Sequence, residues 1–226
     1  MPAAQHRQTL QTLNQRASRE ERREQLIKVA AYIVEFEGID ALKHARIAEL
    51  AGCGRPLVYS YFPQKSDLYF AISESFYRRL EERFTCEEQY QAIKGFLAGD
   101  HSLSTRLESL IWDVIDEYGC AGLILRTVPE LNEDFQNYHR ELVSRYEYRW
   151  QRYFSELGAD ELSARLLLDN CTAVTKNFAL AYRRGELDRE TSLKRTLSAL
   201  GALVQNDIQR IQKHVQTNGI NKERTT

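Results

Sequence analysis

Apolar residues recur along most of the chain at alternating spacings of three and four, and glycine or proline falls between these stretches. Such spacing places the apolar side chains on one face of an α-helix. The 226 residues include only 4 prolines and 11 glycines, too few turn formers for a sandwich of many short strands. The sequence therefore predicts an all-α fold, and its 42% hydrophobic residues are enough to form a core.

The periodic stretches give approximate helix boundaries. They predict helices over 18–37, 43–51, 55–62, 65–84, 88–98, 104–118, 131–157, 160–184 and 188–215, with a short piece at 120–127. This makes about nine helices in total. Ser18 and Glu21 have the spacing of a capping box, which satisfies free N–H groups at a helix start. Gly38 and Gly52 stand where a helix would stop.

Several classes of protein are excluded by what the sequence lacks. No run of 18 apolar residues occurs, so we expect no membrane span, and the polar N-terminus is unlike a secretory signal. Phosphate-binding glycine loops and hydrolase motifs are absent, so we expect no enzyme and no cofactor. The cysteines stand apart at 53, 86, 120 and 171, which predicts free thiols, no metal site and a cytoplasmic location.

The formal net charge of −1 hides an uneven distribution. Residues 1–66 contain ten Lys/Arg and seven Asp/Glu, whereas residues 67–226 contain 21 and 25. A basic front on an acidic body fits a small nucleic-acid-binding unit attached to a domain that does not bind nucleic acid. A solvated basic helix would give the same count.

The segment 45–67, ARIAELAGCGRPLVYSYFPQKSD, is the most informative part of the chain. It predicts a helix, a tight turn at 52–54, a second short helix and a stop at Pro63. Two short helices joined by a glycine turn form a helix-turn-helix, whose second helix enters the major groove of DNA. The same geometry also occurs in proteins that do not bind DNA.

Side chains around this motif suit a DNA interface. Arg55 at the start of the second helix can reach guanine O6 and N7, while Pro56 is tolerated at the first helical position. The predicted DNA-binding residues are Lys43, His44, Arg55, Pro56, Leu57, Tyr59, Ser60, Tyr61 and Lys65. Two alternatives stay open, since Tyr59 could belong to the core and His44 could be a solvated surface residue. Val58 and Phe62 are predicted to be core.

The stretch from Gly38 to Leu68 resembles the N-terminal DNA-binding domain of the TetR family of transcriptional regulators. That pattern has I-A-x-x-A-G, then a short helix ending Y-x-Y/H-F, then x-x-K-x-x-L. Here the corresponding stretches are 47–52, 55–62 and 65–68. With the first helix included, the resemblance covers about 50 residues. The remaining three-quarters resembles the family only in its helical architecture.

The resemblance implies base and phosphate contacts from Arg55, Pro56, Leu57, Tyr59 and Ser60, and phosphate contacts from Tyr61 and Lys65. This chain departs from the family at the two helix starts of the motif. Leu42 and Lys43 stand where Thr-Thr or Ser-Thr is frequent, and Gly54 replaces a usual Ser. We therefore expect both helices to lack a hydroxyl cap.

The last two long helices carry apolar residues near heptad spacing, a pattern typical of helix–helix seams. Two such helices from each of two chains would form a four-helix interface, and a palindromic DNA site requires a dimer. The predicted dimer residues are Leu167, Cys171, Val174, Leu197, Leu200, Val204, Ile208 and Ile211. The alternative is that these stripes face the core of their own chain.

Region 100–182 is rich in aromatic residues and has 8 Lys/Arg against 14 Asp/Glu. If the protein responds to a ligand, this region should hold the pocket, and its charge slightly favours a cationic or neutral ligand. The predicted lining residues are Trp112, Tyr118, Tyr146, Trp150 and Phe178. An aromatic stripe at helical spacing is more often plain core than the lining of a pocket.

Together these patterns predict four parts: a flexible arm (1–17), a three-helix helix-turn-helix domain (18–66), a larger helical ligand-binding and dimerisation domain (67–215) and a frayed tail (216–226). The expected function is a repressor that binds a palindromic DNA operator as a homodimer and leaves it when a small-molecule effector binds. The alternative is a helical adaptor that uses the motif for protein contacts.

Overall fold

A computed structural model describes residues 18–83, 85–100, 102–127, 137, 152, 154–156 and 158–223. Within these ranges the chain forms nine α-helices, one 3-10 turn and no strand, which confirms the predicted all-α class. The helices are α1 (Arg19–Phe36), α2 (His44–Ala51), α3 (Arg55–Tyr61), α4 (Lys65–Arg83), α5 (Cys86–Leu97), α6 (Ser102–Tyr118), α7 (Ala121–Arg126), α8 (Glu161–Arg183) and α9 (Arg189–Glu223). We call α1–α3 the head and α5–α9 the body; α4 joins them.

The first helix begins with the predicted capping box. The Ser18 hydroxyl accepts the Glu21 N–H at 3.2 Å, and the Glu21 carboxylate accepts the Ser18 N–H at 2.7 Å. Gly38 follows the helix with a φ of +90°. Because that backbone conformation is strained for residues with a Cβ, glycine turns the chain sharply towards α2.

The helix-turn-helix also forms as predicted. Gly52 ends α2 with a left-handed φ of +62°, and α3 ends just before Pro63. Neither Lys43 before α2 nor Gly54 before α3 makes a side-chain cap, which confirms the expected loss of both hydroxyl caps.

The start of α4 differs from a simple serine cap. Ser66 lies inside the first turn, and the Asp67 carboxylate reaches back to accept the Gln64 N–H at 2.7 Å. An acidic side chain in the first turn also interacts favourably with the helix dipole.

One apolar core runs from the head through α4 into α7. Leu26, Ile33, Ile47 and Val58 of the head are buried in the same cluster as side chains of α4 and α7, namely Leu68, Tyr69, Ala71, Ile72, Ala121 and Leu125. The core therefore crosses the predicted domain boundary at residue 66.

The body has a second core, in which α4, α6, α7 and α8 meet. Its buried members include Phe76, Leu80, Trp112, Ile115 and Ala179. No helix in the described ranges is both long and apolar enough to cross a membrane.

Two of the predicted dimer residues, Leu167 of α8 and Val204 of α9, are buried within the single chain. The predicted dimer interface stays a prediction. Cys171, Val174, Leu197 and Leu200 are half-buried. The side chains of Ile208 and Ile211 lie outside the described set.

The last helix is longer than predicted. It continues to Glu223, so the predicted end at 215 is too early and the tail predicted as frayed is helical to that residue. Residues 216–223 contain no proline, and extending an existing helix is far easier than nucleating one. The arm 1–17 and almost all of the predicted helix 131–157 lie outside the described residues.

Glu108 is a carboxylic acid buried in the body beside Trp112. The Trp112 indole N–H donates to its Oε1 at 3.3 Å. Burial raises the pKa of Glu108 to about 7, and the bond from Trp112 only partly opposes this. The folded protein therefore binds a proton at Glu108 in a pH range where the unfolded chain has already lost it.

We expect the loss of this proton to lower the free energy of unfolding of the parent chain as pH rises from about 4.5 to 7. The free energy of unfolding of Glu108→Gln, relative to the parent chain, should rise by up to about 3 kcal/mol across this window. Urea unfolding at stepped pH measures the difference, with the exposed Glu186→Gln as a matched control. Parallel pH profiles for Glu108→Gln and the parent chain would contradict this assignment.

Candidate nucleic-acid interface

The recognition helix α3 is buried on one side and exposed on the other. Val58 and Phe62 are buried, as predicted, and anchor the helix in the head core. Arg55, Pro56, Tyr59 and Ser60 are exposed, and Leu57 is half-buried. These five side chains therefore lie where a duplex can approach, and Tyr59, at 51% exposed, is not a core residue.

His44 links the start of α2 to the end of α3. Its Nε2 lies 2.7 Å from the Phe62 carbonyl oxygen, and its ring stacks on Tyr59 with centroids 4.1 Å apart and planes 5° from parallel. With Nε2 protonated, the ring donates to that carbonyl and only Nδ1 is left to meet another group. His44 is thus half-buried and bonded rather than freely solvated.

Ser60 is bonded within its own helix. Its hydroxyl donates to the Leu57 carbonyl at 2.7 Å. The hydroxyl oxygen keeps its lone pairs, so in this rotamer it can accept a hydrogen bond from a base amine but has no second proton to donate.

Two further predicted contacts flank α3 at its C-terminal side. Tyr61 is half-buried, and the guanidinium carbon of Arg19 lies 5.9 Å from its ring centroid. Lys65, the first residue of α4, has its Nζ 5.4 Å from the ring centroid of Tyr69. The Tyr69 ring steadies the Lys65 ammonium by a cation–π contact.

An open cleft of about 440 Å³ lies beside α2 and the start of α3, with the exposed Lys43 and Arg55 among its lining residues. Arg46 also lines it, but its guanidinium is held by Glu37 at 2.7 and 2.8 Å and by Glu49 at 2.7 Å. Hydrogen bonds from Glu37 first, then Glu49, raise the pKa of Arg46. Arg46 thus braces the head instead of presenting a free charge.

The predicted pocket residues that the structure describes lie in one core. Trp112 and Tyr118 are buried in it, and Phe178 packs against it. Tyr118 also contacts the head, with Lys28 Nζ 4.8 Å from its ring centroid. Tyr146 and Trp150 lie outside the described residues. Within those residues, no group of three or more His, Cys, Asp or Glu could hold a metal ion.

The head also resembles known proteins in its sequence. Residues 26–72, which span most of α1 through the first half of α4, match the family described as "Bacterial regulatory proteins, tetR family". In this region the chain is similar to the TetR family of transcriptional regulators.

A curated protein to which this chain is similar is "HTH-type transcriptional regulator TtgR" of Pseudomonas putida. It is 28% identical over 192 residues, which cover 84% of this chain and 80% of the relative. A solved structure titled "Crystal structure of tetR-family transcriptional regulator from Streptomyces coelicolor" is 26% identical. That match covers 89% of this chain and 90% of the other, with a TM-score of 0.48.

Sequence reasoning missed two polar contacts that hold the head in place. One is the bracing of Arg46 by Glu37 and Glu49, and the other is a buried pair between Glu35 and Arg183. Glu35 lies 148 positions from Arg183, so no local spacing relates them. The sequence contains one signal of the buried pair, namely the acidic residue Glu35 within the apolar stretch of α1.

We expect His44 to stabilise the head through its bond and stacking contact. His44→Ala should lower the free energy of unfolding by about 1–2 kcal/mol, because the Phe62 carbonyl loses its partner. Its neighbour Lys43 is exposed and caps nothing, so Lys43→Ala should stay within about 0.5 kcal/mol of the parent. Urea unfolding of both variants measures this, and equal stabilities would remove His44 from the bracing role.

Proposed function

We propose that this chain is a TetR-family repressor that binds a palindromic operator as a homodimer and is released by a small-molecule effector. The observation that carries the proposal is the half-exposed recognition helix. Val58 and Phe62 hold α3 in the head core, while its opposite side is left uncovered by the described residues. A helix fixed on one side and open on the other suits insertion into a major groove.

The proposed interface comprises the nine residues predicted from the sequence: Lys43, His44, Arg55, Pro56, Leu57, Tyr59, Ser60, Tyr61 and Lys65. Arg55 is proposed to read a guanine, while Lys43 and Lys65 contact phosphates at the starts of α2 and α4. Charge of this kind positions a protein on DNA without reading its sequence. His44 would reach a phosphate only through Nδ1, because Nε2 is bonded to Phe62.

The proposed homodimer would use the exposed side of α8. Leu162 and Leu166 are 55% and 50% exposed, and their four-residue spacing puts them on one helix face. A partner helix would cover them, together with the half-buried residues Cys171, Val174, Leu197 and Leu200. Two recognition helices then need a separation of about 34–36 Å to enter successive major grooves.

The proposed effector site lies in the body, around Trp112 and Phe178, with Tyr118, Tyr146 and Trp150 as further candidates. The effector would bind the operator-free form more tightly, since only a difference in affinity can shift the equilibrium. Movement of α4 would carry this shift to the head. We propose no catalytic activity, and a cytoplasmic location follows from access to DNA.

The second candidate is an adaptor that uses the head for protein contacts. The salt dependence of binding distinguishes it from a DNA-binding repressor. Binding through several phosphates weakens log-linearly as salt rises, whereas an apolar protein interface does not.

The experiment that tests the proposal is selection of sheared genomic DNA from the source organism on the purified protein, at two salt concentrations. We expect an enriched palindrome whose half-sites lie about one helical turn apart, and fewer fragments at the higher salt. Protein without DNA-binding function would enrich no sequence at either salt, and this outcome would reject the proposed repressor.

Two substitutions separate sequence reading from phosphate binding. Lys65→Ala should weaken binding to all DNA by a similar factor and reduce the salt slope by about one. Arg55→Ala should relax preference at one base pair, by about 1–3 kcal/mol. Titrations on the selected palindrome and on random duplex measure both, with the exposed body substitution Lys194→Ala as control. Equal losses on both duplexes for Arg55→Ala would remove it from base reading.

A further inference from the structure

The first helix of the head is joined to the body by a buried ion pair. Glu35, near the end of α1, is only 2% exposed, and Arg183, the last residue of α8, is 6% exposed. Arg183 Nε donates to Glu35 Oε1 at 2.6 Å, and Arg183 Nη2 lies 3.4 Å from Oε2. The neighbouring α1 residues Ile33 and Val34 are buried and apolar, so the pair lies within a largely hydrophobic part of the helix.

The elbow between α6 and α7 closes around the Glu35 carboxylate. Cys120 Sγ lies 3.5 Å from Glu35 Oε1 and donates to it. Gly119 has a φ of +75°, and a Cβ at this position would overlap Glu35 Oε2. A residue with a Cβ here would have to displace the carboxylate, so glycine allows the elbow to pass this close to Glu35.

The same elbow touches α1 a second time, through Tyr118. Two cations lie close to the Tyr118 ring, with Lys28 Nζ at 4.8 Å and the Arg79 guanidinium carbon at 5.1 Å from its centroid. Lys28 and Glu35 are about two helical turns apart along α1. Contacts at two separated points fix the direction of a helix as well as its position.

Arg183 is in turn placed by the packing of the body. Its neighbour Tyr182 donates to Asp116 of α6 at 2.6 Å, and Arg189 of α9 donates to the same carboxylate at 2.8 Å. The end of α8 is thus tied to α6 and α9. A change in the arrangement of α6 and α8 would move the Arg183 guanidinium.

We propose that the Glu35–Arg183 ion pair is a positioning contact through which the body sets the orientation of α1, and with it the recognition helix. The head moves with α1 because α1, α2 and α3 share one apolar core. An apolar contact alone tolerates sliding, since it is non-directional. A buried ion pair loses stability when its hydrogen bonds are broken, so it favours the geometry in which they form. The proposal rests on the proposed binding of a palindrome by a homodimer, and adds a route through α1 to the one through α4.

The test compares binding to four duplexes: the palindrome obtained by selection, a single half-site, and the palindrome with one base pair added or removed between its half-sites. The variants are Glu35→Gln and the neutral double variant Glu35→Gln/Arg183→Gln. The matched control is Asp169→Asn, which breaks an ion pair between α7 and α8 at 2.9 Å without touching α1.

We expect both Glu35 variants to bind the half-site like the parent chain and to lose at least about tenfold on the palindrome, because the two heads no longer match its spacing. For these variants, the ratio of the affinity for the selected spacing to the affinity for the altered spacings should fall towards one. Asp169→Asn should keep the parent preference. A purely stabilising role would lower binding to all four duplexes equally, through the folded fraction, and would overturn the proposal.

Thermal unfolding of each variant supplies the folded fraction. Glu35→Gln could unfold because Arg183 is left buried without a partner. In that case the test uses the neutral double variant and Arg183→Lys. Lysine keeps the charge of Arg183 but cannot reach the carboxylate with two nitrogens. Parent spacing preference in a folded double variant would overturn the proposal. If the parent chain itself fails to prefer the palindrome over random duplex, the proposed function fails instead.

Discussion

The fold of the head is governed by the shortness of its recognition helix. A helix of seven residues is unstable alone in water, because nucleation costs more than so few backbone bonds return. It must be held by packing, yet an interface with DNA requires the opposite side to stay open. Val58 and Phe62 hold the helix by packing in the head core. The exposed side chains of Arg55, Pro56, Tyr59 and Ser60 leave its opposite side open.

Side chains elsewhere in the head supply the polar contacts that the ends of α2 and α3 lack. No side chain caps α2 or α3, so the ends are secured from elsewhere. His44 bonds the Phe62 carbonyl just beyond the end of α3, and Arg46 ties α2 to Glu37 beyond the end of α1. Of these two side chains, His44 is also a predicted DNA-binding residue, and its bond to Phe62 is invisible in the sequence.

The connection between head and body is continuous rather than hinged at a linker. The head core includes side chains of α4 and α7, and Gly122 of α7 packs so closely that a Cβ would overlap Phe76 of α4. The Glu35–Arg183 pair adds a directional contact to this broad apolar one. A hydrophobic surface supplies most of the attraction, and the ion pair selects one orientation among those that the surface would accept.

Local sequence patterns determined the described helices, the capping box at Ser18, the glycine stops and the resemblance of the head to the TetR family, because each of these depends on residues within a few positions of one another. They also indicated the burial of Val58 and Phe62. Packing between distant segments decided the rest. The heptad spacing at Leu167 and Val204 is compatible with a dimer and with the chain's own core, and only the folded chain shows that both side chains are buried within it. The end of α9 and the bonding of His44 could not be read from spacing. The partnership of Glu35 with Arg183 was invisible for the same physical reason: an ion pair depends on where two side chains meet in space, and 148 positions of chain leave that undetermined until the helices have packed.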